Sequence, residues 1–86
     1  NVDADVRNAV IAARRALERV DVATTEVRLA RQMVDAEARR LAAGEANLLT
    51  VNLRERFYAE ALLRLASAQA DAVRAFVLLR WSTASL

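Results

Sequence analysis

The chain has 86 residues, 56% of them hydrophobic and 28% charged, which rules out a disordered tail and allows one small domain or a piece of a larger protein. It contains no proline and a single glycine, Gly44, so all-β and Rossmann-type folds, which need turn residues about every dozen positions, are excluded. Without cysteine or histidine it lacks the usual zinc sites, thiol nucleophiles and histidine triads, and thirteen basic residues against eleven acidic ones leave a net charge of only +2.

What remains is an all-α protein. All of its basic residues are arginine, a choice that suits phosphate binding or reflects codon usage in a GC-rich genome. No apolar run approaches the ~20 residues of a membrane-spanning helix. The chain begins at Asn1 without a signal-like segment, so a processed or excised piece of a longer chain is expected.

The first half carries a regular heptad. Val6, Val10, Ala13, Leu17, Val20, Thr24, Val27, Arg31, Val34, Ala38 and Leu41 follow alternating steps of four and three, which predicts one apolar seam interrupted at Thr24 and Arg31. A guanidinium in a seam either snorkels to water or marks a place where the seam opens onto something wet. Beside it, Ala9, Ala16, Ala23 and Ala30 recur every seventh residue. That stripe reads either as a flank where a second helix approaches closely or as ordinary use of the best helix former.

The helix is predicted over about 2–43. Arg39 and Arg40 complement the partial negative charge of its last turn, and Gly44 suits a left-handed cap. A tight turn at about 44–47 follows, with Glu45 near the start of the next helix and Asn47 as its N-cap.

The second helix is predicted over about 48–82. Its seam reads Val51, Glu55, Tyr58, Leu62, Leu65, Gln69, Ala72, Phe76 and Leu79, again with an alanine stripe at Ala61, Ala68 and Ala75. Asp3–Arg7, Asp35–Arg39 and Glu60–Arg64 are spaced for ion pairs along the exposed faces. From Trp81 to Leu86 the pattern is lost, and fraying or a lead into another element is expected. The architecture is a long antiparallel helical hairpin, a coiled coil with helices on the order of 60 Å each. So thin a hairpin has little core, so self-association or a place in a larger helical assembly is expected.

The stretch Arg40-Leu-Ala-Ala-Gly-Glu-Ala-Asn-Leu-Leu-Thr-Val-Asn-Leu-Arg-Glu55 resembles the periplasmic helix-turn-helix of TolC-like outer-membrane efflux channels. Val6-Arg-Asn-Ala-Val10 is similar to that family's lead into the preceding helix, and Trp81-Ser-Thr-Ala-Ser-Leu86 to its exit, with Ala84 where a glycine is usual. The resemblance spans essentially the whole chain. It implies a fragment of a trimeric α-helical tunnel in the periplasm of a Gram-negative bacterium, attached to an outer-membrane barrel. The implied partners are a periplasmic adaptor protein and, through it, an inner-membrane pump, in a homotrimer of the full protein.

By the same resemblance the adaptor-docking tip is Leu41, Ala43, Gly44 and Glu45, with Ala42 between them. Some members carry entrance carboxylates at the positions occupied here by Thr50 and Leu53, so an acidic gate of that type is not expected. Asn52, Arg54 and Glu55 instead form an Asn-x-Arg-Glu sequence similar to one branch of the family. They are candidates for lining the entrance or lumen, or else a solvated face with a local ion pair.

No convergent pair of carboxylates, Gly-rich phosphate loop or metal-ligand cluster is visible, so no enzyme activity, cofactor or metal is expected. The basic doublets Arg14-Arg15 and Arg39-Arg40 have acidic neighbours within a turn, which argues against a nucleic-acid interface. The alternative to a transport channel segment is a free-standing antiparallel coiled-coil module that binds a partner helix in its spare groove.

Overall fold

The structure, a computed structural model, describes residues 1–84. Two helices, α1 (Val2–Ala42) and α2 (Leu48–Ala84), run antiparallel and pack against each other along their length. The hairpin extends 64 × 13 × 13 Å with a radius of gyration of 19.2 Å, against about 12 Å for a globular chain of this length. Its accessible surface of 6328 Å² exceeds the roughly 5,000 Å² of a compact protein of this mass.

Local chemistry explains the helix ends. Asn1 caps α1 by accepting from the Ala4 N–H at 2.8 Å, and Asp3 and Asp5 lie in the first turn, where the helix dipole favours negative charge. Arg39 and Arg40 occupy the last turn. The predicted loss of pattern after Trp81 does not end α2, which continues to Ala84. There the Ser82 and Thr83 hydroxyls bond back to the Leu78 and Leu79 carbonyls. Ser85 and Leu86, part of the exit-like stretch, lie outside the described residues.

The seam differs from the predicted one by a column in both helices. Among the described residues the buried side chains are Ala13, Ala16, Ala23, Val51, Ala61, Ala68 and Ala72, almost all alanine. With the half-buried positions included, α1 faces α2 through Val6, Ala9, Ala13, Ala16, Val20, Ala23, Val27, Ala30, Val34 and Leu41. α2 answers through Val51, Arg54, Tyr58, Ala61, Leu65, Ala68, Ala72, Ala75 and Leu79.

Half of each predicted seam is therefore inside, and its place is shared with the alanine stripe. Ala16 is 0% exposed whereas the adjacent Leu17 is 48% exposed. Val10, Thr24, Arg31 and Ala38 in α1, and Glu55, Leu62, Gln69 and Phe76 in α2, sit on the open flank. The physical reason is closeness of approach. Alternating alanine with Val or Leu lets the two backbones draw together, and a Leu17–Leu62 type of seam would hold them apart. The alanine stripe thus meets the hairpin's own second helix rather than an outside neighbour.

The ion pairs also differ from those expected from spacing. Arg31 pairs with Asp35 at 3.4 Å, Arg40 with Glu37 at 3.0 Å and Arg74 with Asp71 at 2.6 Å. Arg64 does not take Glu60. It crosses to Glu26 of α1 at 3.3 Å, because residues 26 and 64 flank the seam on the same side of an antiparallel pair.

Candidate functional site

The tip is built by a helix stop and a helix start with almost nothing between them. Ala43 keeps a right-handed conformation, Gly44 takes φ +75°, and the chain closes with Gly44 N–H to Leu41 O at 3.0 Å and Glu45 N–H to Arg40 O at 2.8 Å. That pair of bonds is a Schellman cap, which satisfies carbonyls the helix leaves open. Arg40 adds a second lock, donating to Glu37 Oε1 at 3.0 Å and to the Glu45 carbonyl at 3.1 Å. Asn47 then caps α2, its Oδ1 accepting from the Thr50 N–H at 3.0 Å while the Thr50 hydroxyl donates to the Asn47 carbonyl at 2.8 Å.

The four tip residues read from the sequence are brought together by this turn. Leu41 is half-buried at the end of the seam, and Ala43, Gly44 and Glu45 are exposed. Nothing lies within 4 Å of where a Gly44 Cβ would stand, so the apex is open to approach. Beside it, Glu37, Arg40, Asn47, Thr50, Arg54 and Phe57 line a groove that runs from the turn along one side of the seam.

Asn52, Arg54 and Glu55 do not form one cluster. Arg54 turns into the seam and donates to Met33 Sδ at 3.7 Å, whereas Asn52 and Glu55, three residues apart, are both exposed on a neighbouring face of α2. No Arg54–Glu55 pair forms, since consecutive positions on a helix point about 100° apart.

Arg31 shows how the open flank accommodates charge. Its guanidinium lies 5.6 Å from the Tyr58 ring centroid and reaches Asp35, remaining largely in solvent. Interaction with Tyr58 first, then the Asp35 charge, holds its pKa above the ordinary arginine value, so it stays a fixed cation.

The two outward faces contrast. α1 turns an unbroken charged column of Arg7, Arg14, Asp21, Arg28 and Asp35 to solvent, with Ile11, Val22 and Leu29 exposed elsewhere on its outer side. α2 instead exposes Ala59, Leu63, Ala66, Ala70, Val73 and Val77, again spaced by alternating steps of four and three. Leu63 is 71% and Val73 63% exposed. On a heptad wheel these two columns lie half a turn from the inner seam, so α2 is apolar on opposite sides, the pattern of a helix with two neighbours. Reading α2 as a seam from Val51 to Leu79 flanked by Ala61, Ala68 and Ala75 passed over this stripe. The signal was present as a second run of steps of four and three, offset from the first.

Among the described residues, no helix is long and apolar enough to cross a membrane. No family model, curated protein or solved structure matches this chain.

Proposed function

We propose that the hairpin is a helix-docking, protein–protein interaction element, with the outward face of α2 as its binding surface. The observation that carries this reading is the unpartnered apolar stripe from Ala59 to Val77, opposite a seam already satisfied by α1. Solvated helices show charge there, as the Arg7–Asp35 column of α1 does, and an exposed apolar stripe of this regularity is suited to burial against another helix. A photo-crosslinking side chain at Leu63 or Val73 in the source cell tests it. Discrete crosslinked products at these positions, with none at Arg14 on the charged face of α1, are the expected result. Silence at Leu63 and Val73 removes the reading.

A second reading is favoured by the same two-sided helix together with the open tip. In it the hairpin is a length of wall in a TolC-like periplasmic tunnel, α2 lies between two neighbours, and Ala43, Gly44 and Glu45 dock an adaptor protein that leads to an inner-membrane pump. The resemblance of the turn region and the absence of crowding around Gly44 support it. An antibody to this segment distinguishes the two. A trimeric protein several times larger in the outer-membrane fraction favours the tunnel, and a small soluble species favours the free-standing module.

A further inference from the structure

We infer that the outward face of α2 pairs with the same face of a second copy of this chain, antiparallel about a two-fold axis between Ala66 and Ala70. The assignment rests on the reading of the hairpin as an interaction element and names its partner. It comes from the arrangement of the stripe and of the residues on either side of it.

In an isologous antiparallel pair each residue meets its mirror position along the helix. About such an axis the stripe matches itself layer by layer: Leu63 meets Val73, Ala59 meets Val77, and Ala66 meets Ala70. Large residues fall opposite medium or small ones, and only alanines face each other at the centre, where the two helices approach most closely.

The flanks match at the offsets the heptad requires. On one side Glu60 and Arg74 stand seven residues before and after Ser67, so the axis sets each Glu60 against Arg74 of the other copy, twice per pair. On the other side Leu62 and Phe76 stand equally far from Gln69 and meet in the same way. A parallel arrangement in register would instead set Glu60 against Glu55 of the other copy, which repel, and Arg74 against the neutral Gln69.

The side chains are placed for this. Arg74 is bound within its own helix by Asp71 at 2.6 Å, and its side chain is still 70% exposed. A guanidinium carries five N–H donors, so it can hold Asp71 and accept a second carboxylate on its free edge. Leu62 and Phe76 are exposed on the flank. The result is a four-helix layer with the two α2 helices inside and the charged faces of the α1 helices outside.

Sedimentation equilibrium on the chain from micromolar to millimolar concentration tests the pairing, with helical circular dichroism as the control for folding. The wild-type chain is expected to dimerise. Glu60→Arg and Arg74→Glu are each expected to weaken the dimer by about tenfold or more, since each turns two attractions into two repulsions. An equimolar mixture of the two variants is expected to recover a heterodimer, because every reversed charge then meets its complement.

A monomer throughout the range overturns the proposal, as does a dimer indifferent to Glu60→Arg or a mixture no tighter than its components. If the chain stays monomeric while Leu63 still crosslinks to a different protein in cells, self-pairing fails and the interaction reading stands. If both are silent, both fail.

Discussion

Arg40 and Glu45 hold each other across the turn in both directions. The Glu45 N–H donates to the Arg40 carbonyl at 2.8 Å, and the Arg40 guanidinium donates to the Glu45 carbonyl at 3.1 Å. Gly44 lies within that loop at φ +75°, with empty space where a Cβ would project. The cost of Gly44→Ala is therefore conformational rather than steric. It is expected to lower stability by about 1–2 kcal/mol. Urea unfolding followed by circular dichroism should show a lower midpoint with an unchanged slope. Gly44→Asn, which tolerates the left-handed region better, is expected to lose less.

Asn47 starts α2 by accepting the Thr50 N–H. Asn47→Ala leaves that donor to water and is expected to cost about 1 kcal/mol, while Asn47→Asp keeps the cap. The same unfolding measurement separates the two. Equal losses in both variants would mean that the side-chain oxygen contributes nothing.

The position of the seam is open to a direct comparison of neighbours. Ala16 is fully buried between the helices and Leu17 lies on the open flank. Ala16→Leu forces a large side chain into a closely packed seam and is expected to cost about 1–3 kcal/mol. Leu17→Ala is expected to cost less, about 1 kcal/mol or below, because half of that side chain is already in water. The opposite order of thermal midpoints would put Leu17 rather than Ala16 in the seam.

The Glu26–Arg64 ion pair joins the two helices across their shared side. Both side chains are substantially exposed, so the coupling is expected to be small, about 0.2–1 kcal/mol at low salt and near zero at ~1 M. A double-mutant cycle with Glu26→Gln and Arg64→Gln, run at both salt concentrations, measures it. Coupling that survives high salt would mean the pair is better shielded than its exposure implies.

Much of the fold was legible in the residues. A single glycine between two heptad runs specifies a hairpin, and the capping roles of Gly44 and Asn47 follow from their side chains alone. The column of the seam was not legible by the same means. Ranking positions by hydrophobicity selects Leu17, Leu62 and Phe76 over Ala16, Ala61 and Ala75, because a larger side chain has more apolar area to bury. Close helix packing reverses that preference, since the gain comes from bringing two backbones and all their neighbours together. The outward stripe of α2 was missed for a related reason. Once Leu65 and Ala72 account for one face, Leu63 and Val73 look like isolated exposed residues until their spacing is laid against the heptad. Asn52, Arg54 and Glu55 are near neighbours in sequence, but the turn of the helix carries Arg54 into the seam and away from the face that Asn52 and Glu55 share.

The alanine seam also has a mechanical consequence. Alanine methyl groups make shallow teeth between the deeper ones of Val20, Val27, Val34, Tyr58 and Leu65, so the small layers hold the helices close and the larger ones set how they mesh. The lengthwise alignment of these two 41- and 37-residue helices is anchored again at the end where the chain itself is clamped, from Arg40 through Gly44 to Asn47. A cut in that short span would remove this anchor and leave the register to the seam and the Glu26–Arg64 pair. It would also leave the two helices free to exchange with the same helices of another molecule.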